Sequence, residues 1–165
     1  MSAPRSSTRA GDEHGGPFAG RTARGERGAD KASAAVAARH DRIARALVDA
    51  FNSRDPVQWR AVFHPDVRFR PSLLVGGRSL YTGHDGVMHY LDQVKRDGAE
   101  HTSRVRLVRS FDEDRFIVFT EVMLGDKVAS PAAVIVGLAD DRIVEATTYL
   151  SDERTLDALG LTPPR

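Results

Sequence analysis

Two side chains in this sequence combine acid–base or hydrogen-bonding chemistry with an apolar setting. Glu121 is a lone carboxylate in the run from Phe116 to Leu124, whose two-residue alternation marks a strand. One face of that strand carries Phe116, Val118, Thr120, Val122 and Leu124; the other carries Ile117, Phe119, Glu121 and Met123. Between Phe119 and Met123 a desolvated carboxylate has a raised pKa, which suits a general acid or base. Tyr149 shares a strand face with Glu145 and Thr147 and is the candidate hydrogen-bond donor. A second reading fits the same pattern: these mixed faces form the outside of a sheet or a dimer interface. Trp59, Phe63, Phe69, Tyr81 and Tyr90 are the candidate lining of a hydrophobic ligand pocket.

Other chemistries fail on residue type or spacing. The chain has no cysteine, which removes disulfides, thiolate zinc sites and thiol nucleophiles together. His84 and His89 are five residues apart, about 140° around a helix, so they do not chelate as a pair. No His-Glu-x-x-His, Gly-x-Ser-x-Gly or phosphate loop occurs. No metal and no cofactor are therefore expected. His84-Asp85 fits a helix cap and dipole, His40 a core stripe, and His64 a surface position at a helix end. Arg70 is expected to point to solvent with Arg68, because Val67 and Phe69 claim the other face.

The elements that must position these residues follow from hydrophobic period. Val36, His40, Ile43, Ala44, Leu47, Val48 and Phe51 repeat as one face of a long helix ending near Asn52–Arg54. Asp55-Pro56 restarts a short helix, with Gln58 at capping-box spacing, and His64-Pro65 stops it. A strand is predicted over 67–73, and a third helix from about Gly83 to Arg96 with Gly98 as its stop. Period two then holds over 104–111, 115–124, 130–139 and 142–150, joined by short acidic connections that predict antiparallel neighbours. A helical turn over 153–159 closes the chain. Three amphipathic helices and a strongly curved antiparallel sheet predict an α+β cone with an open wide end.

The first 33 residues differ in kind. They hold no Ile, Leu or Val and only one aromatic, Phe18, so they cannot bury enough surface to offset the entropy of ordering. A disordered tail over 1–33 and a folded domain over 34–165 are predicted. The tail lacks the apolar centre of a secretory signal. Lys and Arg total 24 against 23 Asp and Glu, a net charge of +1 in 165 residues. That balance predicts neither nucleic acid nor an anionic membrane as partner. The longest apolar stretch, Ala132 to Ala139, is too short to span a bilayer. A cytoplasmic protein is expected.

The segments Tyr81-Thr-Gly-His-Asp-Gly-Val87 and Asp141-Arg-Ile-Val-Glu-Ala-Thr-Thr-Tyr149, with the ending Leu156-Asp-Ala-Leu-Gly-Leu161, resemble the SnoaL-like branch of the nuclear transport factor 2 superfamily. The resemblance covers about residues 36–161 and implies the cone fold. It also implies a small-molecule pocket, with cyclases, isomerases, hydrolases and dehydratases among the members. Two positions depart from the isomerase pattern. The resemblance puts Leu47 at the place of the oxyanion-hole tyrosine and Arg70-Pro71 at the place of the base carboxylate. Neither side chain performs the role it would inherit. Inside the last four strands the carboxylates are Glu121 and Glu145 alone, so the acidic set of the epoxide hydrolases is not seen. Two functions stay open: a cofactor-independent enzyme on a hydrophobic carbonyl compound, or a non-catalytic ligand-binding or dimerisation module. A homodimer through the sheet is expected in either case.

Overall fold

The computed structural model describes residues 22–71, 80–97, 100–150 and 157, with side chains from residue 33 onward. The described elements run α1 (Thr22–Ser53), α2 (Pro56–Val62), β1 (Phe63–Arg70), β2 (Tyr81–Thr82), α3 (Gly83–Arg96), β3 (His101–Ser110), β4 (Arg115–Leu124), β5 (Lys127–Ala139) and β6 (Arg142–Leu150). They form a curved, unclosed sheet in the order β2-β1-β6-β5-β4-β3, with α1 packed on β3 and α3 on β1. The expected stop at Gly98 and the turn over 153–159, Asp157 excepted, lie outside the described residues.

Helix α1 starts at Thr22, well before the expected start near residue 34. Once its amphipathic half is formed, extension costs little through Ala23, Arg24, Glu26, Arg27, Ala29 and Lys31, which are mostly good helix formers. Residues 1–21 of the expected tail lie outside the described residues. At its other end α1 stops without glycine. Arg54 takes φ 54° and its N–H donates to the Ala50 carbonyl at 3.1 Å.

The Asp55 carboxylate then accepts from the Val57 N–H at 2.9 Å and caps α2, with Pro56 in its first turn. The reciprocal half of the expected capping box is taken by Ser53. Its hydroxyl accepts from the Asp55 N–H at 3.3 Å and lies 3.0 Å from Gln58 Oε1. Strand β1 begins directly after α2, earlier than predicted, and its pairing slips between Phe63 and Arg68, across Pro65.

The sheet is mixed rather than wholly antiparallel, because β1 runs parallel to β6 with Phe69 opposite Ala146. Alternation in the last four strands identifies their hairpins but cannot report the partner of a strand separated from them by a helix. The predicted hairpins are present. Asp140 and Asp141, at φ 50° and 60°, make the two-residue turn between β5 and β6. At the start of α3, Gly83 has φ 67°, and a Cβ there would meet the Pro65 carbonyl oxygen at 3.2 Å.

Helix α1 is fastened at both ends. At the narrow end of the cone the Arg39 guanidinium bonds to Asp141 at 2.5 Å and to the Glu113 carbonyl at 2.8 Å. His40 is wholly buried and stacks on Phe116 with ring centres 4.5 Å apart. Its Nε2 lies 2.9 Å from the Glu113 carbonyl, which can only accept, so Nε2 carries the proton. Its Nδ1 then accepts from the Ser110 hydroxyl at 2.7 Å. At the wide end the Asn52 amide pairs with Ser103 of β3 in both directions, at 2.8 Å and 2.7 Å. That bond covers backbone groups on an edge strand.

His40→Ala removes two hydrogen bonds and a buried ring from this clamp. It is expected to lower unfolding stability by about 2–4 kcal/mol in urea titrations. A change within error would show that α1 is held elsewhere.

Candidate functional site

The cross-strand registers divide the sheet into two faces. On the helix-covered face, Val108, Val118, Val134 and Thr148 form one row. Val105, Thr120, Ala132 and Leu150 form the next row towards the wide end. On the opposite face, Leu107, Phe119, Ala133 and Tyr149 make a row beside Arg104 and Glu121. Ile117, Phe119 and Ala133 pack there with Ile135 as a second apolar cluster.

A cavity of about 60 Å³ lies between the helices and the first of these faces. Leu47, Val48 and Phe51 of α1 close one side. Trp59, Phe63, Phe69 and Tyr90 supply an aromatic wall, with Phe69 and Tyr90 ring centres 5.1 Å apart and nearly perpendicular. Trp59 is fixed by donating Nε1–H to the Ala50 carbonyl at 2.6 Å. The sheet contributes Val118, Thr120, Val122, Ala132, Val134 and Thr148, and Ser103 and Pro71 complete the lining.

The described lining contains no carboxylate, imidazole, ammonium or guanidinium group. Its polar side chains are three hydroxyls and one phenol. The Tyr90 hydroxyl is buried without a hydrogen-bond partner among the described residues. Burial first, and the nearby Tyr81 second, push the Tyr90 phenol above its usual range, so it stays neutral and a donor. Among the described residues no group of three His, Asp or Glu could hold a metal ion, and no helix is long and apolar enough to cross a membrane.

A family model described as the SnoaL-like domain matches residues 44–146, more than half of the sequence. The chain belongs to the SnoaL-like family. A search of curated proteins finds no match. Among solved structures, a candidate isomerase of the SnoaL-like family from Agrobacterium tumefaciens is similar at 13% identity and TM-score 0.59, covering 69% of this chain and 98% of that one. A candidate ketosteroid isomerase from Kribbella flavida is similar at 18% identity and TM-score 0.56, covering 78% and 84%. A candidate polyketide cyclase from Sinorhizobium meliloti is similar at 16% identity and TM-score 0.53, covering 65% and 93%. At these identities the likeness is one of fold.

Within this SnoaL-like cone, four of the five expected pocket aromatics line the cavity: Trp59, Phe63, Phe69 and Tyr90. Tyr81 does not. It is buried behind Tyr90, with ring centres 5.3 Å apart, and its hydroxyl donates to Gln93 Oε1. Both expected catalytic residues stand on the face of the sheet away from this cavity. Glu121 is 8% exposed on the face away from the cavity, where Arg104 lies at 2.5 Å and Arg106 at 3.0 Å. Two guanidiniums that hold both carboxylate oxygens leave no base for a ligand on the other side of the strand. Tyr149 stands opposite Ala133 on that same outer face and is 36% exposed. Alternation groups residues into two faces; it does not say which face the sheet curves around.

The histidines and Arg70 have structural surroundings. His84 is no cap, since Thr82 occupies that position; its Nε2 lies 2.8 Å from the Phe63 carbonyl and ties α3 to β1. His64 is half-buried near Asp66 and Asp140, at 3.9 Å and 3.8 Å. Arg70 reaches Glu145 across the parallel pair at 3.6 Å rather than pointing free into solvent. The residue that sequence reasoning passed over is Thr120. Its signal was a single hydroxyl on an otherwise apolar strand face.

The Tyr90 phenol gives a pH test with a defined sign. Above about pH 10 the unfolded chain releases this proton while the folded chain keeps it. Stability therefore falls as pH rises through that region, by up to about 1.4 kcal/mol per pH unit from this group. Tyr90→Phe is expected to remove that share of the alkaline loss in urea titrations. An unchanged slope would place the phenol in water.

Proposed function

We propose that the protein is a binding module for a small, neutral, mostly apolar molecule, and that it does not perform acid–base catalysis in this cavity. The observation that carries this reading is the cavity wall, which among the described residues is aromatic and aliphatic with hydroxyls and no ionisable group apart from a neutral phenol. The isomerase and cyclase names of the structural neighbours suggest proton transfer, but proton transfer needs a positioned group that titrates near the working pH. Glu121, the carboxylate expected for that work, belongs to an ion-pair cluster on the other side of the sheet.

Size and charge narrow the ligand. The cavity of about 60 Å³ is smaller than the roughly 150 Å³ that accommodates benzene in an engineered protein core. The enclosed part of the cavity therefore suits a small ligand, and a single ring fits within it with a small outward shift of the walls. Charge is excluded by energetics, because an ion buried against this wall has no partner and costs several kcal/mol.

Trp59 is the single tryptophan of the chain and lines the cavity, so its fluorescence reports occupancy directly. Toluene is expected to change it saturably, with benzoate and benzylammonium at least about tenfold weaker. Equal binding of the charged compounds would contradict the proposal.

Assembly is part of the same reading. The homodimer expected from the sequence rests on narrower ground, because Ile117 and Phe119 of the outer face are only 2% exposed. Leu107 and Tyr149, at the two ends of the same cross-strand row, are each 36% exposed and supply the apolar contact. A twofold contact through this face covers both. Light scattering after gel filtration is expected to give twice the 18.1 kDa chain mass. A single-chain mass at micromolar concentration would overturn the dimer.

A further inference from the structure

The cavity holds one feature that an apolar container does not need. Thr120 lies in the middle of β4, is 95% buried at 5% exposure, and lines the cavity. Its hydroxyl makes no hydrogen bond with any described residue and, unlike the Tyr90 hydroxyl, it keeps some accessible surface. Its strand neighbours on the same face are Val118 and Val122, and across the sheet it faces Val105 on one side and Ala132 on the other. None of these side chains can satisfy a hydroxyl. Valine, of nearly the same shape, would fill this place in an apolar wall without a polar atom, whereas the threonine hydroxyl is left accessible to a bound oxygen.

We infer that Thr120 is the polar anchor of the cavity, and that its ligand carries one neutral oxygen, an alcohol or a ketone, on an apolar skeleton. This rests on the binding function proposed above and names the ligand class of the same site. A threonine hydroxyl both donates and accepts, so it serves either oxygen group. The aromatic wall of Trp59, Phe69 and Tyr90 takes the ligand's apolar face, while the Thr120 hydroxyl takes its oxygen. The other hydroxyls of the described wall belong to Tyr90, Ser103 and Thr148, and the response to Thr120→Val separates Thr120 from all three.

The probes are toluene and benzyl alcohol, read by Trp59 fluorescence on the full chain. Their affinities differ for reasons of solvation alone, so the informative quantity is the ratio of the two and its change on mutation. Thr120→Val is expected to weaken benzyl alcohol relative to toluene by about fivefold. Thr120→Ser, which keeps the hydroxyl, holds the ratio near its original value. Tyr90→Phe leaves the ratio unchanged. Retained toluene binding shows that each variant is folded. A ratio unmoved by Thr120→Val, or moved by Tyr90→Phe instead, overturns the anchor while the binding function stands. Failure of toluene and benzyl alcohol alike to bind the unmutated chain overturns the binding function itself.

Discussion

Successive side chains on a strand point to opposite faces of a sheet, and in this cone only one face looks onto the cavity. On β4 that alternation sends Val118, Thr120 and Val122 inward, and Ile117, Phe119, Glu121 and Met123 outward. The neighbouring residues Thr120 and Glu121 therefore live in different chemical worlds. One hydroxyl faces an aromatic wall. One carboxylate is clasped by Arg104 and Arg106, which serve the outer surface and edge strand. A slip of one residue in the register of β4 would exchange them and put a carboxylate into the cavity. The neutrality of the pocket is thus a property of strand register before it is a property of any side chain.

Register and curvature in turn depend on how α1 is held against the sheet. Arg39 and His40 bind the connections between β3 and β4 and between β5 and β6 at the narrow end, through Glu113, Ser110 and Asp141. Asn52 binds Ser103 at the wide end. Between these fastenings Leu47, Val48 and Phe51 face the strands across the cavity. The helix spans the gap without filling it, because the aromatic side chains of α2, β1 and α3 hold the far wall. Phe63, Phe69, Trp59 and Tyr90 brace one another with ring centres 5.1–6.3 Å apart.

Much of this was legible in the sequence, for physical reasons. Periods of 3.6 and two mark helices and strands whatever their surroundings, so α3 and the ordered hairpins of β3 to β6 emerge directly. His40 reads as core from its place on an apolar helix face, and it is buried. The parallel pairing of β1 with β6 was not legible, since it joins segments far apart in the chain with no local turn to announce it. The upstream extension of α1 was hidden by glycines and charges in a segment that is helical all the same. For the site, Trp59, Phe63, Phe69 and Tyr90 of the expected lining border the cavity, and Tyr81 stands behind Tyr90. On which side of the sheet Glu121 and Tyr149 stand was not legible, because alternation is symmetric between the two faces and curvature is a property of the whole sheet.

The central claim is that the cavity is uncharged. Methyl resonances of Val118, Val122 and Val134 sit in its wall and shift whenever a neighbouring group titrates. Followed by NMR in the folded protein from about pH 4 to about pH 9, the range of ordinary carboxylates and imidazoles, they are predicted to stay flat. A common inflection in these three residues within that range would place an ionisable group in the cavity and contradict the account.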